Sequence, residues 1–110
     1  MLIKLLQIIK YKVMEKAKVI KNEKGFKVIE IPSILLVDKL AKFGSIGVCD
    51  GCMRSEDTGY YIAVLNQWLC KKCYDEWMSY AEWYKEDERI ELKNFNFYCK
   101  LFDIDCNEKP

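Results

Sequence analysis

The chain has no histidine, and that absence removes more chemistry than any other feature of its 110 residues. Without an imidazole there is no Ser/His/Asp or Cys/His nucleophile and no histidine metal ligand. Nor is there a Gly-rich phosphate loop among its five glycines. No apolar run is long enough to cross a bilayer. The first segment, MLIKLLQIIKYKV, is broken by Lys4, Lys10 and Lys12, and no small-residue cleavage site follows it. Repeats and low-complexity tracts are missing too. Glu82 and Glu86, with Lys85 and Arg89 nearby, have the makeup of a solvated helix face rather than a catalytic pair. The expectation is a protein that is not an enzyme and has no small-molecule substrate.

What the chain does have is cysteine in a pattern. Cys49-x-x-Cys52 and Cys70-x-x-Cys73 stand seventeen residues apart. Each pair places two sulfurs on one tight turn, and the two pairs together supply the closed tetrahedral shell of a structural Zn²⁺. Disulfides, a redox dithiol or iron in the same cage are the competing readings. A redox pair would want a strand–helix context that Cys49 and Cys52 lack, and zinc is preferred on spacing and context. Thiolates held for zinc fit a reducing compartment, so the expected location is the cytoplasm. Four thiolates leave no open coordination position, which argues for architecture before chemistry. Cys99 reads as a buried apolar filler, and Cys106, in a polar tail, as a free thiol.

A chain this short buries a marginal core, although 51% of its residues are hydrophobic and 14% aromatic. Structural zinc supplies on the order of 10 kcal/mol of folding free energy, comparable to the whole stability of such a domain. The net charge of +1 is unevenly spread. Residues 1–48 carry ten Lys against four acids, and residues 49–110 carry eight basic residues against thirteen acids. The basic half is either a nucleic-acid or membrane contact or an ordinary solvated surface.

Periodicity sets the organisation. Residues 1–13 read as an N-terminal extension whose Leu2, Leu5, Leu6, Ile9 and Val13 would share one face of an amphipathic helix; Met14 offers an alternative start. Residues 14–44 read as a β-hairpin plus a short helix. The strands are AKVIK at 17–21 and FKVIEI at 26–31, with Pro32 stopping the second. Ser33 is placed to cap a helix over 34–43 that buries Leu36, Leu40 and Phe43, and Gly44 to close it. Residues 45–110 read as the four-cysteine module, with residues 14–110 forming one folded unit. Within it, Tyr60–Leu65 and Trp68–Leu69 flank Asn66-Gln67 as a second hairpin. Tyr74, Trp77, Met78, Ala81 and Tyr84 predict one amphipathic helix to about residue 89, its outer face carrying Asp75, Glu76, Glu82, Glu86, Asp87 and Glu88. Phe95, Tyr98, Leu101 and Phe102 make a last helical stripe that should fold back on the domain.

The order knuckle, hairpin, then a Cys pair entering a helix resembles the treble-clef zinc finger over residues 46–89. That resemblance implies an α+β, zinc-stabilised fold with Cys49, Cys52, Cys70 and Cys73 as ligands, and the N-terminal hairpin and helix packed on it. The spacing is also that of GATA-type DNA-binding fingers. Those carry a basic hairpin and tail, whereas Tyr60-Tyr61-Ile62-Ala63-Val64 has no basic residue and the following helix face is acidic, which phosphate repels. LIM domains usually place His at one ligand position, and none is available here. The GYY-x₃-LN-x-W-x-C-x₂-C run at 59–73 and the end NFNFYC at 94–99 are similar to small uncharacterised proteins of phages and mobile elements of gut-type bacteria. That likeness spans roughly residues 18–104 and implies phage biology, including inhibition of a host enzyme or defence system.

The aromatics outnumber what one small core can hide, and rim aromatics are often binding anchors. The surfaces expected to meet a protein partner are the acidic segment 75–91 with Glu82, Trp83 and Glu86, and the hairpin residues Tyr60 and Tyr61. A nucleic-acid-binding regulator using the basic N-terminal half is the alternative.

Overall fold

In the computed structural model, residues 16–41 and 47–107 are described. Four antiparallel strands run in the order of the sequence: β1 Lys18–Ile20, β2 Val28–Pro32, β3 Thr58–Ile62 and β4 Gln67–Leu69. The described residues also form three helices, α1 Ser33–Leu40 between β2 and β3, and α2 Lys71–Met78 and α3 Glu88–Leu101 after β4, the last entered through a 3₁₀ turn at Lys85–Asp87. The proposed segment 1–13 and the helix-closing Phe43 and Gly44 lie outside the described residues.

The sheet is covered on both faces, and the two-residue side-chain period of its strands sorts the core accordingly. Val28, Ile62 and Leu69 face one way, toward Phe26, Tyr74, Trp77 and Ala81. Ile29, Ile31, Tyr61 and Trp68 face the other, toward Leu36 and Leu40 of α1 and Phe95 and Cys99 of α3. Both faces are apolar in β2, so VIEIP reads as a nearly continuous hydrophobic run.

The first hairpin forms where the sequence places it. Asn22 fixes its loop: Oδ1 accepts from the backbone N–H of Lys24 at 2.9 Å, and the amide Nδ2 donates to Tyr74 Oη at 2.8 Å, tying the loop to α2. The second hairpin turns earlier than expected, over Ala63–Asn66, because Asn66 takes the left-handed conformation (φ 55°) and accepts a 2.7 Å hydrogen bond from Tyr61 Oη. Ser33 does not cap α1 with its side chain. Pro32 occupies the cap position, and the Ser33 N–H donates instead to the Asp57 carbonyl at 2.7 Å.

The single helix expected from Tyr74 to residue 89 is two helices. α2 stops at Met78, and an irregular stretch over Ala81–Tyr84, with Tyr84 extended, leads into the 3₁₀ turn. No Gly or Pro breaks it, so tertiary partners do. Lys24 Nζ donates to the Ala81 carbonyl at 2.6 Å, and the Trp83 indole N–H donates to Glu91 Oε1 at 3.1 Å. The last stripe folds back as expected, with Phe95 buried and Tyr98, Leu101 and Phe102 packed on the second face. α3 closes with Asp103 in the left-handed region (φ 56°) and the Ile104 N–H on the Cys99 carbonyl at 2.8 Å, which returns Ile104 to the core.

Candidate metal centre

The loop before β3 forms a knuckle around Cys49. The Cys49 N–H donates to the Arg54 carbonyl at 2.9 Å, the Met53 N–H donates to the Cys49 carbonyl at 2.8 Å, and Val48 bridges Ser55. Two amides point at the first sulfur: Gly51 N and Cys52 N lie 3.3 and 3.5 Å from Cys49 Sγ. Gly51 packs closely on the second pair: a Cβ there would come to 3.2 Å from Cys73 Sγ and 3.3 Å from Leu69 Cδ2, so a side chain would press on the sulfur. The second pair arrives where β4 ends. Cys70 is the extended residue preceding α2 (ψ 166°), and Cys73 sits in the first helical turn.

The four Sγ atoms lie within 4.8 Å of one another. A tetrahedron of Zn–S bonds of about 2.3 Å has sulfur–sulfur edges of about 3.8 Å, and Cys52 Sγ to Cys70 Sγ is 3.8 Å. One edge thus matches the tetrahedral value, the remaining sulfurs are near enough to share one ion, and the site suits a structural metal. Among the described residues this is the one such cluster.

Electrostatics differ among the four. Burial raises the Cys49 thiol, but the backbone amides of Cys70, Cys52 and Gly51 and the Cys73 thiol outweigh it and bring it down to about 7. Burial pushes Cys70 up, and burial together with the neighbouring thiols pushes Cys73 up to about 12. One thiolate is stabilised by amides, and it then resists the ionisation of its neighbours. A divalent cation reverses that ordering by attracting all four charges. Cys49 and Cys70 are buried, Cys73 is half-buried and Cys52 is exposed, so one edge of the cage faces a cleft lined by Arg54, Glu56, Lys72 and Glu76. Arg54 and Lys72 stand where they can offset the −2 charge of a Zn²⁺ tetrathiolate. Lys71 does not line that cleft: its Nζ pairs with Asp75 Oδ1 at 2.7 Å and lies over the rings of Tyr60 and Tyr74.

The residues expected to meet a partner are dispersed. Tyr61 is fully buried, stacked on Tyr98 with ring centroids 3.5 Å apart, so it belongs to the core and presents nothing to a partner. Tyr60 is half-buried and stacked on Tyr74. Trp83 is half-buried with its N–H already bonded to Glu91. Glu82 and Glu86 are exposed, but in the irregular stretch and the 3₁₀ turn rather than on one helix face; Glu82 accepts from Tyr84 Oη at 2.8 Å. Glu91, grouped in the sequence with those acids, is buried.

Three residues escaped the sequence reading. Asp50 accepts the Trp68 N–H at 2.8 Å through Oδ2 and donates its own N–H to the Trp68 carbonyl at 2.9 Å, locking the knuckle to β4. Glu91 accepts from Trp83 and from the Lys27 N–H, and Asn22 joins the first loop to α2. An Asp inside a Cys-x-x-Cys turn was a usable signal for the first. A Glu on the apolar stripe of Phe95 and Cys99, four residues before Phe95, was one for the second. Comparison with known protein families, curated proteins and solved structures finds no match to this chain.

Proposed function

We propose that the chain is a zinc-stabilised, non-enzymatic module that binds another protein. The observation that carries the metal reading is the set of four thiols gathered within 4.8 Å of one another, one pair of them at the 3.8 Å edge of a zinc tetrahedron. With four protein ligands, zinc has no position left for water or substrate, so its contribution is structural. The order of knuckle, β3–β4 hairpin and cysteine-led helix supports a treble-clef-like description of the module.

Support for protein binding comes from the surface beyond α2. Tyr80 is 74% exposed and Tyr84 50%, beside the exposed acids Glu82 and Glu86. Exposed acids speed association with a basic partner site by electrostatic steering. If the phage and mobile-element resemblance read from the sequence reflects the origin of the chain, that partner is a host protein met in the host cytoplasm. The alternative, nucleic-acid binding through the basic N-terminal half, has three of that half's ten lysines engaged within the fold. Lys18 pairs with Glu30, Lys24 caps Ala81 and Lys27 lies over the Phe95 ring.

Elemental analysis of the purified protein should give about one zinc per chain, and Cys70→Ser should leave it unfolded or insoluble. A metal-free preparation with an unchanged melting profile would sink the zinc reading; iron in its place would correct only the metal. For the partner, Glu82→Lys with Glu86→Lys should weaken whatever protein a pull-down recovers. Tight, salt-sensitive binding of the unaltered protein to random duplex DNA would overturn the protein-binding reading.

A further inference from the structure

α3 buries Glu91, Phe95 and Cys99 against the sheet. At about 100° per residue, Arg89, Lys93 and Lys100 fall within about 40° of one another around the axis, about 120–160° away from the centre of that buried face. All three are exposed, and none has a carboxylate within ion-pair distance among the described residues. Alongside them run Ile90, 47% exposed, and Phe97, 54% exposed. In a chain whose second half is acidic overall, the outward side of its longest described helix carries a wholly basic stripe with an apolar stripe of Ile90 and Phe97 beside it.

We infer that this face of α3 docks an acidic, amphipathic segment of another protein, with carboxylates over Arg89, Lys93 and Lys100 and an apolar side chain between Ile90 and Phe97. The inference rests on the protein-binding reading above but uses a different surface. Charge complementarity identifies the class of occupant, and the ends of the stripe narrow it. Arg89 to Lys100 spans about 16 Å of helix at 1.5 Å per residue. Glu86, Asp87 and Glu88 precede the stripe, and Asp103 and Asp105 follow it. A nucleic acid or an anionic membrane continues its negative charge beyond both ends and meets those acids. An acidic peptide segment of about three turns ends where the cations end. Ile90 and Phe97 add apolar contact that a phosphate backbone does not use.

The test titrates the zinc-loaded full chain into a labelled synthetic helix of about three turns, Glu in one stripe and Leu in the next, read by fluorescence anisotropy. Saturable binding that weakens with salt is expected. Arg89→Glu with Lys93→Glu and Lys100→Glu should weaken it by about tenfold or more, with zinc content and circular dichroism unchanged. Phe97→Ala should weaken it at constant salt dependence, whereas Lys16→Glu with Lys21→Glu, reversing cations elsewhere, should leave it near the original value. Equal binding by the triple variant would overturn the inference, as would absence of binding. Tighter, α3-dependent binding of oligo(dT) or of phosphatidylserine vesicles would also overturn it, in favour of those polyanions. A pull-down partner lost through Glu82→Lys and Glu86→Lys would keep the protein-binding reading alive whichever way this experiment falls.

Discussion

Replacing Glu91 should be among the most damaging single changes outside the cysteines. Its side chain is 1% exposed and holds three segments together. Oε2 accepts the Lys27 N–H at the start of β2, Oε1 accepts the Trp83 indole N–H, both at 3.1 Å, and the residue itself belongs to α3. Hydrogen bonds to a charged group contribute about 1.5–3 kcal/mol each, and removing the acceptor leaves both donors short of a partner. Glu91→Ala should therefore cost about 3–6 kcal/mol, a large share of the roughly 5–15 kcal/mol that a domain of this kind has. At about 4–8 °C per kcal/mol, the melting temperature should fall by at least 12 °C or so. Glu91→Gln keeps the shape but turns an NH₂ toward one donor, so it should lose roughly half as much. Trp83→Phe removes only one bond and should cost less than either. Urea unfolding followed by circular dichroism gives the three values, and tryptophan fluorescence should show an altered Trp83 environment in both Glu91 variants. A loss below about 1 kcal/mol for Glu91→Ala would mean that this clasp does not hold the α2–α3 break, and the account of that break given above would fail.

Zinc uptake should be strongly pH-dependent. Cys49, lowered to about 7, contributes its full stabilisation of the metal-free fold above the ordinary thiol value of 9.0 and loses it progressively as pH falls from there through 7. Cys73, raised to about 12, does the reverse, stabilising the metal-free fold below 9.0 and losing the effect as pH climbs toward 12. Binding near neutrality must therefore expel protons from Cys70 and Cys73, and affinity should drop steeply below pH 7; calorimetry in buffers of different ionisation enthalpy that found no proton release would contradict this. Truncation after Asn94 removes Phe95, Tyr98, Leu101 and Phe102, each contributing about 1.5–3 kcal/mol when buried, and should aggregate; a stable monomer would show the segment to be a separate binding peptide. Gly59→Ala should cost about 1–3 kcal/mol by overpacking, because a Cβ there overlaps the Trp68 indole, whose N–H donates to the Ile31 carbonyl at 3.1 Å; an unchanged urea midpoint would mean that Trp68 has room to move.

The elements that were legible in the sequence are those fixed by local signals. The β-branched runs at 17–21 and 26–31 are bounded by a polar loop and a proline, and they form β1 and β2. The cysteine spacing brings four thiols together because a tight turn and a helix start are both short-range devices. The helix break after Met78 was not legible. Tyr74, Trp77, Met78, Ala81 and Tyr84 keep a helical period across it, and what ends the helix is a lysine 57 residues earlier and a glutamate beyond the break. For the same reason the acidic residues of 75–91 looked like one face. Once Glu91 turns inward and Glu82 leaves the helix, the surface divides into an acidic stretch and the basic outer face of α3. Tyr61 misled because both faces of the sheet are covered: alternation along β3 distinguishes the two faces, but not a buried face from an open one.

The metal centre is part of the core rather than an appendage to it. Cys49 and Cys70 belong to the same buried cluster as Phe26, Tyr74 and Trp77, so a change in sulfur positions moves the packing of α2 directly. The opposite face is reached through Trp68. Its backbone is held by Asp50 within the knuckle, while its indole lies with Phe95 and Cys99. A knuckle that opens on metal loss releases the backbone of β4 and with it the side chain that supports α3. Chelation should therefore unfold both layers in one transition, with far-ultraviolet circular dichroism and tryptophan fluorescence changing together at the same chelator concentration. If helical signal and buried tryptophan at the α3 face survived removal of the metal, Trp68 would not couple the layers, and the zinc would stabilise only the half of the molecule that contains α2.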